Sequence, residues 1–225
     1  MENSCELCIY RSYLFDNLNK KEFANLTLTK TELDFKKGEI ICREGEKILH
    51  FLYLKQGLLK IYKTVGNRRE QIVGITKPKD FIGLLSSFSE KEHLYSISAL
   101  EDSSLCIIEM ESIKRIVREN GDFALDLLGK MSKLNSQILG SRLTINLKNL
   151  RGRTAYIILM FKDIYHSLKF EIPVSRKEIG ELIEMRTENV IRILSELRKD
   201  KIIKIEGKSF EIIDLHRLEQ IAEFG

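Results

Sequence analysis

An α+β fold is predicted by three observations: glycine-punctuated strand-like text in the first half, one long helical stretch in the middle, and two short helices before a hairpin near the end. The chain has 225 residues, 43% apolar and 31% charged, with 37 Lys+Arg against 33 Asp+Glu. That is enough apolar mass for a packed core in one large or two small domains, and too ordinary a charge balance for a disordered chain. The longest uninterrupted apolar run, Ala155 to Phe161, is too short to span a bilayer, and the opening Met-Glu-Asn-Ser-Cys lacks the basic flank and apolar run of a secretory leader. A cytoplasmic chain with no membrane partner is expected, and its 4 cysteines do not read as a disulfide framework. A net charge of +4 permits nucleic-acid binding without announcing it.

Residues 1–121 read as an N-terminal arm and a β-roll with short flanking helices. From Phe35 to Glu109, runs rich in Ile, Leu, Tyr and Val alternate with Gly38, Gly45, Gly57, Gly66, Gly74 and Gly83, which supply the positive-φ turns of an all-β roll. Phe51 to Tyr62 reads as two strands meeting at Gly57, and Pro78 with Asp80 marks another turn. Met110 to Arg118 predicts a short helix stopped by Asn120-Gly121. Residues 122–148 form the long helix. Its apolar residues Leu127, Met131, Leu134, Ile138 and Ile145 follow a 4-3-4-7 spacing, the seam of a dimerising coiled coil. An amphipathic helix packing on its own domain has the same period, but the length of this one favours a dimer seam.

Residues 149–225 predict a winged helix-turn-helix. Ser175 and Glu178 stand at capping-box spacing, so a helix begins there. A second helix after a turn near Glu184-Met185-Arg186 carries Val190, Ile193, Leu194 and Leu197 on one stripe. Ile202 to Ile205 and Phe210 to Ile213 then flank a glycine turn as a hairpin.

This order of parts resembles the Crp/Fnr family of bacterial transcription regulators, over about Leu14 to Ile221. Lys37-Gly38-Glu39-Ile40-Ile41 with Arg43-Glu44-Gly45 looks like the family's first β-roll turn, in a domain of cyclic-nucleotide-binding type. Leu150-Arg151-Gly152-Arg153-Thr154-Ala155 is similar to the opening of its DNA-binding domain. Ser175-Arg176-Lys177-Glu178-Ile179-Gly180, followed by Glu188-Asn189-Val190-Ile191-Arg192-Ile193-Leu194, resembles its recognition motif. One departure is Glu184, where the family's turn usually has glycine. A left-handed non-glycine residue costs about 1 kcal/mol, which a packed domain absorbs.

The resemblance implies a homodimer that reads an inverted repeat of double-stranded DNA, with RNA polymerase as a further partner. Glu188 and Arg192 match the pair that reads base edges, Arg192 donating to guanine and Glu188 accepting from a cytosine amine. An intrahelical surface pair is the ordinary fate of that spacing. Thr187 stands where a cyclic-AMP-responding relative carries another arginine, which changes the outer bases of the site. From Asn146 to Gly225 there are 15 Lys+Arg and 13 Asp+Glu. Affinity must therefore come from charge placement, with Lys148, Arg151, Arg153, Ser175, Arg176, Lys177, Arg186 and Asn189 as the phosphate-side candidates.

The effector is unknown from the sequence. The family's cyclic-nucleotide cassette falls on Gly83, Leu84, Leu85, Tyr95 and Ser96, with Leu84 replacing the ribose-binding glutamate and Tyr95 the phosphate-binding arginine. Cyclic AMP is a poor candidate, since neither side chain can do the replaced residue's work. Cys5, Cys8 and Cys106 are similar to cluster-ligating cysteines of the Fnr branch, to which the chain is closer. Leu14 stands where a further arm cysteine is wanted, so Cys42 or Asp16 would have to complete an iron–sulfur site. Buried inert thiols, a redox-active dithiol, half a zinc site, and haem ligation by His50 or His93 stay open beside it. A cupin-like enzyme would need clustered histidines, and the roll offers only His50 and His93. A DNA-independent dimeric scaffold is the remaining alternative.

Overall fold

The computed structural model describes residues 5, 6, 8–66 and 69–225. A short 3-10 turn at Tyr13–Phe15 precedes α1 (Lys20–Thr29), then β1 (Lys30–Phe35), β2 (Ile40–Cys42), β3 (His50–Gln56), β4 (Leu59–Val65), β5 (Arg69–Thr76), β6 (Phe81–Ile82), β7 (Ser96–Ala99) and β8 (Ser103–Glu109). Helices α2 (Met110–Glu119), α3 (Gly121–Leu147) and α4 (Leu150–Tyr165) follow. The chain ends with β9 (Lys169–Glu171), α5 (Arg176–Leu182), α6 (Thr187–Lys199), β10 (Ile203–Glu206), β11 (Ser209–Ile212) and α7 (Leu215–Phe224). Residues 1–70 and 74–138 group as one compact unit, and residues 71–73 and 139–225 as another. The division falls inside α3, between Ile138 and Leu139, and not at either end of that helix.

The first unit is built on two four-stranded sheets, ordered β1-β8-β3-β6 and β2-β7-β4-β5. Period-two alternation on β3 sends Leu52 and Leu54 into a core with Cys42, Ile97 and Leu105, while Phe51 and Tyr53 join a second core with α1, α2 and α3. The two strands expected to meet at Gly57 do so. Gly57 has φ +87°, and a Cβ there would lie 2.2 Å from the Ser103 hydroxyl, so two separate reasons require glycine. Helix α1 opens on a capping box formed by Asn19 and Glu22. Asn120 ends α2 in an extended conformation, and its side chain accepts from Phe123 N at 3.0 Å, so it stops one helix and caps the next.

Helix α3 corrects the expected dimer seam. Leu127 is buried in the first unit's core, where Met131 and Leu134 also pack, and Ile145 is buried too. The 4-3-4-7 stripe is therefore the face that α3 turns to its own chain, with Ile138 at its exposed margin. The side chains left in solvent are Leu125, Leu128, Leu139, Leu143 and Leu147, which at 100° per residue form a different stripe.

In the second unit, Asn149 caps α4, and the Ser175–Glu178 capping box opens α5 as its spacing predicts. The hairpin β10–β11 turns at Gly207, φ +62°, and β9 adds a third strand against β11. Tyr165, Phe170 and Phe210 stack in series, with centroids 5.8 Å and 6.4 Å apart.

Candidate functional site

Helices α5 and α6 and the wing β10–β11 form one candidate surface. The turn between the helices is tight. A Cβ on Gly180 would meet the Met185 carbonyl oxygen at 2.6 Å, and Met185 N donates to Gly180 O at 2.8 Å. Glu184 does take the left-handed conformation, φ +55°. Arg153 holds that turn from beneath, its Nη1 donating to the carbonyls of Ile183 at 3.4 Å and Glu184 at 3.2 Å while its Nε donates to Lys148 O at 2.9 Å. The Glu184 carboxylate pairs with Arg142 at 2.7 Å.

Helix α6 buries Val190, Ile193, Leu194 and Leu197, which leaves Glu188, Ile191 and Arg192 on its exposed side. Arg192 pairs with Glu196, one turn on, at 2.6 Å. Arg151 pairs with Asp200, so two of the expected DNA cations are held by carboxylates of the same surface.

The phosphate-side candidates divide. Arg153 is a structural residue, because its guanidinium is spent on three backbone carbonyls. Arg176 lies over the Phe210 ring at 4.7 Å, and burial holds it below its ordinary range, so it ties α5 to the wing. Lys148 donates to Ala222 O. Lys177 sits 3.7 Å from Glu181. Arg186 caps α6 with its backbone only and keeps an exposed side chain. Ser175 is the α5 cap and Asn189 is half-buried in the first turn of α6.

In the first unit, the cassette residues differ in exposure. Leu84 is 1% exposed and belongs to the core, because an apolar side chain at that position is drawn inward. Gly83 has φ +65° and its carbonyl accepts from Ser86 and Ser87, while Leu85 is exposed. Ser96 is buried and its hydroxyl accepts from Glu44 N at 3.0 Å. Tyr95 is 40% exposed beneath Lys63. A cavity of about 300 Å³ opens elsewhere in the roll, lined by Ile41, Cys42, Glu46, His50, Leu52 and His93 among others. Burial pushes the Cys42 thiol up to about 12 and holds His93 below its ordinary value.

The arm carrying Cys5 and Cys8 lies on the face of sheet β1-β8-β3-β6 that holds Cys106. Cys5 packs against the core containing Cys106, Cys5 N donates to Thr27 Oγ1 at 3.3 Å, and the Tyr53 hydroxyl donates to Tyr10 O. The donor set does not fit a cluster. Among the described residues, no three His, Cys, Asp or Glu side chains converge to hold a metal ion. Cys42 lies between the sheets, away from Cys106, Asp16 is paired with Arg11 at 3.0 Å, and Leu14 fills the core. Burial pushes the Cys106 thiol up to about 11.

Residues 32–120 match the Cyclic nucleotide-binding domain and residues 152–221 the Crp-like helix-turn-helix domain. Together the two matches cover the roll and the surface described above. The chain belongs to the Crp/Fnr family. It is 26% identical to the transcriptional activator protein Anr of Pseudomonas protegens, over 83% of this chain and 78% of that one. It is 24% identical to the fumarate and nitrate reduction regulatory protein of Yersinia pestis, over 91% of this chain and 84% of that one. Its fold is that of a putative Crp/Fnr regulator from Eubacterium rectale, with TM-score 0.77, 23% identity and coverage of 95% of this chain and 98% of the other. FixK2 from Bradyrhizobium japonicum gives TM-score 0.74 at 23% identity, covering 85% and 96%.

As a Crp/Fnr protein the chain is a DNA-binding transcription regulator, and the relatives named above are of the Anr and Fnr type. Two features of this regulator's surface escape sequence reasoning. The sequence reading weighs a surface pair of Arg192 with Glu188, and Arg192 pairs instead with Glu196 on its other side. The anchoring of Arg153 by carbonyls thirty and thirty-one positions on carries no sequence signal.

Proposed function

We propose that this regulator works as a cytoplasmic homodimer whose two α6 helices read an inverted repeat, and that its effector is not cyclic AMP. The observation that carries the reading is the exposed pair Glu188 and Arg192, one turn apart on a helix whose opposite stripe is buried. Arg192 can exchange Glu196 for guanine O6 and N7, and Glu188 can accept from a cytosine amine. Arg186 and Lys177 supply phosphate contacts beside them. Dimerisation uses Leu125, Leu128, Leu139, Leu143 and Leu147, each of which contributes about 1.5–3 kcal/mol when fully buried. Contact with RNA polymerase follows the role of an activator.

Leu84 cannot bind a ribose hydroxyl and the phenol of Tyr95 cannot pair with a cyclic phosphate as a guanidinium does, which is the ground for setting cyclic AMP aside. Thiol-based sensing through Cys5 and Cys8 is a second reading, favoured by the docking of their arm above Cys106. Selection from a random DNA library tests the main reading: an enriched inverted repeat is expected, and loss of its guanine preference in Arg192→Ala. A selected site without two-fold symmetry overturns it.

A further inference from the structure

We propose that the opening between β1 and β2 is a binding site for an unbranched aliphatic carboxylate of about ten carbons. The proposal concerns the first unit alone and does not depend on how the second reads DNA. β1 and β2 each stand at the edge of their sheet, and among the described residues no ladder joins the two. The cavity of about 300 Å³ lies there, lined from β1 by Thr31 and Leu33 and from β2 by Ile41 and Cys42. None of the five cassette residues lines it, so it is a separate site from the cyclic-nucleotide cassette. Regular alternation would send Ile41 and Cys42 to opposite faces, yet both line the cavity. The register of β2 against β7 shifts between Ile40 and Cys42, and an irregularity of that kind re-aims a side chain toward a site.

The floor of the cavity is aliphatic. Leu33, Ile41, Leu49, Leu52 and Ile107 form it, and Cys42, kept a neutral thiol by burial, acts as one more small apolar group. No aromatic side chain lines it, so a flat ring would find no stacking partner there. A dry cavity of about 150 Å³ holds benzene, so twice that volume takes roughly twelve non-hydrogen atoms, those of a ten-carbon acid. The rim decides the head group. Lys47, His50 and His93 stand on it, and among the described residues their side chains make no ion pair or hydrogen bond. Glu46 lies beside them, but its carboxylate is engaged by the preceding turn, Oε2 accepting from Arg43 N at 2.8 Å. One ammonium and two imidazoles above an aliphatic floor suit a single carboxylate on a plain tail. Charge-assisted hydrogen bonds hold the head while the tail leaves water.

Calorimetric titration of the full-length protein with hexanoate, octanoate, decanoate and dodecanoate tests the site. Affinity is expected to rise about fifteenfold for every two methylenes up to decanoate, the factor for burying them, and to stop rising at dodecanoate because the cavity is full. 1-Octanol, without the charge, is expected to bind about tenfold more weakly than octanoate, the contribution of one hydrogen bond to a charged group. Lys47→Gln should weaken octanoate by a similar factor and leave 1-octanol unchanged, a split that a merely structural lysine would not give. Leu33→Asp, at an exposed edge position, should abolish binding of every acid with an unchanged circular dichroism spectrum. Absence of saturable one-to-one binding for any acid overturns the proposal. So does affinity that climbs past decanoate at the same rate, equal binding of octanoate and 1-octanol, or a Lys47→Gln protein that binds octanoate as wild type does.

Discussion

Arg192 and Arg153 show how differently two arginines of one surface are used. Arg192 is held by a single exposed carboxylate, an arrangement worth little in water and easily exchanged for DNA. Glu196→Gln removes both the competitor for Arg192 and a negative charge from the DNA side. The variant should bind DNA about two- to fivefold more tightly at low salt, the range of an exposed pair, with the gain shrinking as salt rises. Unchanged affinity in a gel shift would mean that Glu196 does not restrain Arg192. Arg153, by contrast, has three carbonyl partners around a turn that contains a left-handed glutamate. Next to it, Gly180 has no room for a methyl group. Gly180→Ala should destabilise the second unit by about 1–3 kcal/mol, the usual cost of overpacking, read as a lower urea midpoint of its unfolding transition. An unchanged midpoint would show that α5 and the turn can separate without loss.

At the scale of elements, α3 separates what periodicity can and cannot tell. The spacing of Leu127, Met131, Leu134 and Ile145 shows an apolar face but says nothing of the partner, and the partner is the chain's own core. Leu139→Asp should therefore give a monomer by sedimentation with its fold intact, whereas Leu134→Asp should unfold the first unit. The reverse pattern would restore the earlier seam. Elements with local chemistry were legible: the turn at Gly57, the Ser175–Glu178 cap and the hairpin at Gly207 each follow from a few adjacent residues. Strand β9, three residues long, and the inward turn of Leu84 were not, since both depend on neighbours distant in sequence. The same long-range packing sets one pH effect. Burial disfavours protonated His93, with Glu46 pulling the other way, so the folded state binds that proton less readily than the unfolded chain. Its stabilising share is present above about pH 6.5 and is lost as pH falls toward the lowered folded value. The urea midpoint of the first unit should drop between pH 7 and pH 5, less steeply in His93→Gln. Equal slopes in the two proteins would remove His93 from the account.

For the whole molecule, the issue is how a chain with only a small positive balance holds DNA. Residues 146–225 carry 15 cations against 13 anions, and several of the cations are engaged: Arg151 by Asp200, Arg153 by carbonyls, Arg176 by a ring. Of the phosphate-side candidates, Lys177, which sits near Glu181, and the exposed Arg186 remain for the proposed phosphate contacts. On the proposed reading affinity comes from doubling, because two-fold symmetry would place a second reading helix on the next major groove, with half-site centres about 34 Å apart. Two consequences can be measured together. The dependence of log K on log salt should be shallow, near −4 for about four neutralised phosphates per dimer, at roughly −0.9 each. Lys177→Ala should flatten it by about 2, one contact in each subunit, while weakening all DNA sequences alike. Moving the half-sites apart by five base pairs puts them on opposite faces of the duplex, so only one helix can engage and binding should fall to that of a single half-site. A slope as steep as −8, or tolerance of the five-base-pair insertion, would show that phosphate contacts outside α5 and α6 carry the binding.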